Sequence, residues 1–120
     1  MRSIERNHTL YRDRTYKFQF RVKRTSDGEN YDITGCNLTF SAKYSYDSAD
    51  VLFSCDLLAG TGIVANSYTG GLATITISSS KTSTLPNEPV TLVYEMTLTD
   101  VNTAVWEIMR GELTILPTVA

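Results

Sequence analysis

A chain of 120 residues, 42% apolar and 20% charged, has the balance of one globular domain, not of a disordered segment. No apolar run approaches the length of a membrane span. The net charge of −2, with no aromatic–basic groove or recognition helix, argues against a nucleic-acid partner.

The first 13 residues show no clear period, with Ile4, Leu10 and Tyr11 scattered among charges. They read as an N-terminal arm whose order depends on what it touches, leaving residues 14–120 as the folded domain. The arm has no apolar core and is not read as a secretory signal. Thr15 to Arg24 is the clearest strand: Tyr16, Phe18, Phe20 and Val22 alternate with Lys17, Gln19, Arg21 and Lys23, an aromatic face against a basic one. Ser26-Asp27-Gly28 then provides turn chemistry. Tyr31 to Gly35 forms a corner with Ile33 tucked under. Asn37 to Tyr46 follows as a strand, with Leu38, Phe40, Ala42 and Tyr44 on one side. A polar loop, Asp47 to Asp50, leads to a short strand, Val51 to Leu58. Ile63 to Ala65 and Leu72 to Ser78 pair as a hairpin about Tyr68-Thr69-Gly70-Gly71. Ser79 to Leu85 suits one helical turn, capped by Ser79 or Ser80, with Leu85 as a core plug.

The longest element comes last. Val90, Leu92, Tyr94, Met96 and Leu98 alternate with a mostly polar set, Asp100 to Thr103 turn the chain, and a second arm carries Trp106, Ile108, Leu113 and Ile115. The two pairs in that arm are out of phase, which requires an extra residue, and Gly111 is where a β-bulge is least disruptive. The only Trp is expected to make the largest single apolar burial. Seven or eight short strands with regular turns and no sustained helix predict an all-β fold, an immunoglobulin-like antiparallel β-sandwich, with a small barrel as the alternative.

Candidate chemistry is sparse. His8 sits alone in the arm, too little for a multi-histidine metal site or a supported serine triad. Asp47, Asp50 and Asp56 lack the spacing of a calcium-binding loop. Glu95 and Glu107 read as a surface pair, not a glycosidase dyad. Without an export signal, Cys36 and Cys55 are expected to be free thiols. No catalytic, metal or cofactor residues are assigned. Charge is divided: residues 1–24 carry eight of the eleven basic residues and two acids, against three basic residues and eleven acids beyond. That division makes Arg12, Arg14, Lys17 and Arg21 the candidate interface, a basic rim for an acidic surface on a copy or a partner.

The order of segments goes further than any one motif. The Tyr16–Val22 strand, the Asp27-Gly28 turn, the Tyr31-Asp32-Ile33-Thr34-Gly35 corner and the Leu38–Lys43 strand come first. The glycine-containing hairpin from Gly62 to Gly71, Thr82-Ser83-Thr84-Leu85, Val93-Tyr94-Glu95, and Trp106 to Gly111 before Leu113-Thr114-Ile115 follow. This succession resembles the immunoglobulin-like N-terminal domain of upper baseplate and related tail proteins of tailed bacteriophages. The resemblance implies a non-enzymatic virion structural protein of the tail, baseplate or head. It would assemble in the host cytoplasm with other virion proteins, with copies of itself as a homo-oligomer, and with no membrane, nucleic acid or cofactor. A carbohydrate-binding module using Tyr44, Tyr46 and Tyr68 as stacking platforms is the alternative.

Overall fold

A computed structural model describes residues 4–24 and 28–118. The expected Ser26-Asp27-Gly28 turn, save for Gly28, lies outside the described residues. Nine strands and one helical turn follow in chain order: β1 Ile4–Glu5, β2 His8–Tyr11, β3 Tyr16–Arg21, β4 Asn37–Lys43, β5 Phe53–Asp56, β6 Ile63–Ser67, β7 Leu72–Ile77, α1 Ser79–Thr82, β8 Val90–Thr99 and β9 Val105–Leu116. They form two sheets. One has the order β1-β9-β8-β4-β5, with β2 also on β9; the other is β3-β7-β6. This is the expected β-sandwich of immunoglobulin-like type, with one addition. The segment set apart as an arm runs parallel to β9, Ile4 opposite Met109 and His8 through Tyr11 opposite Leu113 through Leu116.

The core is built by alternation. Leu38, Phe40 and Ala42 of β4 and Leu92, Tyr94, Met96 and Leu98 of β8 face inward. They meet Phe18, Phe20, Ala73, Ile75 and Ile77 from the smaller sheet. Each Leu, Ile, Met or Phe among them contributes about 1.5–3 kcal/mol by leaving water. Ile33 is fully buried under its corner, and Leu85 is buried after α1. The cap of α1 is Ser78, not Ser79 or Ser80, and it makes no side-chain capping bond. Thr82 anchors this turn instead: its hydroxyl accepts the Asp13 N–H at 3.0 Å and donates to the Ser79 carbonyl.

Two expectations for the last hairpin are corrected. The register slips between Met96 and Thr97, whose partners are Met109 and Glu107. The extra residue is therefore Ile108, and Ile108 and Met109 are buried in succession. Gly111 has a different purpose. A Cβ there would strike the carbonyl oxygen of Arg6, because the N-terminal strand crosses it closely. Around the crossing, Arg6 N–H donates to Arg110 O at 2.9 Å and Tyr94 Oη–H donates to Arg6 O at 2.5 Å. Trp106 is not the main core group, since 43% of it is exposed. Trp106 sits opposite Leu98 near the turn end of β9, before Met109, where the described pairing with β1 begins. Its indole N–H donates to Asp100 Oδ2 at 3.3 Å. That bond, with the N–H groups of Ala104 and Asn102, holds Asp100 below the ordinary carboxylate range. At the other end Tyr44, expected inward, is exposed because β4 stops at Lys43.

Candidate assembly surface

The smaller sheet ends at β3, and among the described residues no strand pairs with its outer edge. Alternation turns Phe18 and Phe20 inward and leaves Lys17, Gln19 and Arg21 exposed, with Lys23 continuing the row. The Arg6 guanidinium joins them from the kink between β1 and β2. It donates to the Gln19 carbonyl at 3.2 Å and lies 5.4 Å from the Phe18 ring centre. Four cations thus line one edge, and among the described residues no carboxylate pairs with Lys17, Arg21 or Lys23. Lysine and arginine on an unpaired edge also discourage indiscriminate strand pairing.

Beside this row the sandwich is open. A cleft of about 190 Å³ lies between the end of β3 and the β1–β9 edge. Phe20, Val22, Ile108 and Met109 form its apolar walls, Arg21 and Lys23 its rim. Ile4, 42% exposed, stands at its mouth.

The outer face of the larger sheet has the opposite character. Register places Glu5, Asp56, Glu95, Glu107 and Glu112 there, against Lys43 and Arg110. The Glu95–Glu107 pair is bridged: Arg110 Nε donates to Glu107 at 2.8 Å and its Nη2 approaches Glu95 at 3.6 Å. The same guanidinium covers Tyr46, 4.3 Å from the ring centre. Asp56 accepts from Asn37, Thr39 and the Ala59 N–H. These bonds outweigh its partial desolvation and hold the carboxyl below its usual range.

The four residues singled out in the sequence do not act alike. Lys17 and Arg21 stand on the exposed face of β3. Arg14 is exposed at the preceding corner and donates to the Asp13 carbonyl at 3.3 Å. Arg12 is turned into the protein: Nε and Nη2 each donate at 2.7 Å, to the carbonyls of Leu85 and Ser83. It ties β2 to the segment after α1 and is not a rim group. Arg6 and Lys23 belong to the basic edge but were not singled out. The signal for Lys23 was its parity with Lys17 and Arg21; for Arg6 it lay in the pairing of β1, which alternation does not reveal.

Other candidates are dispersed. Tyr68 lies by the start of β4, where its carbonyl accepts from Ile33 N–H. Tyr44 and Tyr46 follow the far end of that strand, roughly 20 Å away at the rise of an extended chain, so the three form no common platform. Among the described residues no group of three His, Cys, Asp or Glu side chains is placed to hold a metal ion, and no helix is long and apolar enough to cross a membrane. Cys36 and Cys55 are free and buried. No protein-family model and no curated protein matches the chain.

Proposed function

We propose that this chain is a non-enzymatic structural module of a tailed-bacteriophage particle, in the tail, the baseplate or attached to the head. It acts by docking its β-sandwich onto neighbouring virion proteins, copies of itself included. The order of its segments supports the phage setting. The observation that carries the docking is the basic edge of Arg6, Lys17, Arg21 and Lys23, with which no strand pairs among the described residues, set against the acidic outer face of the larger sheet. Such opposed charge sets register and encounter rate more than affinity.

The reading is tested on purified particles and on the isolated chain. Quantitative mass spectrometry of gradient-purified particles should find the chain at a fixed copy number. Light scattering should show an oligomer, or a complex with a virion partner, that loosens with salt and weakens when Lys17 and Arg21 are changed to Glu. A chain abundant in infected cells but missing from particles would overturn the proposal.

A further inference from the structure

We propose that the cleft beside β3 receives the Asp47–Leu52 loop of a second copy, so that copies join head to tail. The inference rests on the assembly reading above and specifies its contact. The cleft has apolar walls and a cationic rim, so its occupant must offer an apolar side chain flanked by acids. Among the described residues several exposed apolar side chains stand beside acids, but Asp56, close to Leu58, is held by Asn37, Thr39 and Ala59, and Glu107, next to Trp106, is paired with Arg110. At the β8–β9 turn, Val101 follows Asp100, but that carboxylate is already engaged by Asn102, Ala104 and Trp106. In the β4–β5 loop, Val51 and Leu52 are 47% and 37% exposed, directly after Asp50 and close to Asp47. Among the described residues nothing pairs with either of these carboxylates.

The loop is already held in shape. Leu52 N–H donates to Ala42 O at 2.8 Å, Ser48 N–H to Ser45 O at 3.1 Å, and Asp50 N–H to Ser48 Oγ at 3.2 Å. A preorganised loop loses less freedom on docking. It cannot reach its own cleft, since β4 and β5 lie three and four places from β1 across the sheet. Neighbouring strands are spaced about 4.8 Å apart. The contact is therefore between different patches on two copies. Such a heterologous interface leaves a free cleft at one end and a free loop at the other, and it grows into a ring or a filament.

The test is sedimentation velocity of the full chain over a concentration series at low salt. Wild type should self-associate. Asp50→Lys, Leu52→Ser and Lys23→Glu should each weaken association by at least about tenfold. All three positions are exposed, and unchanged thermal melts would show that the variants fold. An equimolar mixture of Leu52→Ser and Lys23→Glu retains one intact cleft and one intact loop, so it should stop at dimers. Asp50→Lys and Lys23→Glu in one chain should restore growth through the exchanged charge pair. If wild type associates but the loop variants associate equally well, the loop-in-cleft contact is wrong while assembly through another surface stands. A wild type that stays monomeric at every concentration also overturns the contact, and particle composition then decides the assembly reading separately.

Discussion

His8 makes the stability of this protein depend on pH in a window that no other shifted group shares. It is 6% exposed on β2. Its ring stacks on Phe18 at 4.0 Å, Nδ1 lies 2.9 Å from Tyr16 Oη, and Nε2 is buried without a hydrogen-bond partner among the described residues. Burial, with the positive charge of Arg6 nearby, lowers its pKa from 6.5 to about 4. The unfolded chain therefore binds a proton that the folded chain refuses. Stability is complete above about pH 6.5 and falls as the pH drops towards 4. The whole interval corresponds to about 3 kcal/mol, of which about 2 kcal/mol is lost by pH 5. For a domain of this size that lowers the melting temperature by roughly 8 °C. The depressed carboxyls of Asp32, Asp56 and Asp100 start from 3.8, so their losses come at lower pH. Melts followed by circular dichroism from pH 8 to 4 should show the loss in wild type. It should largely vanish in His8→Phe, which keeps the stack on Phe18. A flat wild-type curve between pH 7 and 5, or an equal slope in the variant, would refute the assignment.

Three further outcomes follow from the contacts. Gly111→Ala forces a Cβ onto the Arg6 carbonyl; a urea titration should register a loss of about 2 kcal/mol or more, with faster amide exchange along residues 4–11. Arg12→Ala removes two bonds of 2.7 Å and should lower stability by about 2 kcal/mol, while Arg14→Ala should be close to neutral. Burial raises the pKa of both thiols, so a thiol reagent at pH 8 should label the folded protein slowly and both cysteines promptly in urea.

Alternation made β3, β4, β7 and β8 legible, because each has one face in the core and one in solvent. Turn chemistry placed the β8–β9 connection, where Asp100 Oδ1 accepts from Asn102 and Ala104. Pairing was less legible. In β2, His8 and Leu10 are buried and Thr9 and Tyr11 exposed, a period of two that a polar histidine conceals. Alternation also assigns a face without saying how far the facing sheet extends, so Trp106 reads as core. The phase change in β9 requires an extra residue but does not say which. Gly111 fits a bulge and a close crossing equally well until β1 is placed. Arg12 and Arg14 look alike in the sequence. Only the fold separates the one that reaches two buried-side carbonyls from the one left in solvent.

The basic edge has two physical readings, and the cleft separates them. Charges on an edge strand are a common guard against unwanted pairing. For that purpose, Lys17 and Arg21 on the exposed face of β3 already suffice. A guard gives no reason for apolar walls to remain open beside it, since a single larger side chain from β1 or β9 would fill part of such a space and stabilise the sandwich. Here Ile4 stands at the mouth of the cleft without closing it, and among the described residues no carboxylate pairs with Arg21 or Lys23 at its rim. A cavity between such walls forfeits packing contacts in an isolated molecule, and on the docking reading an acid-flanked apolar group that enters restores them. Filling the cleft from within therefore separates the readings. Ile108→Phe should raise the melting temperature whichever is right. A guard leaves self-association unchanged in that variant, whereas a docking cleft loses it.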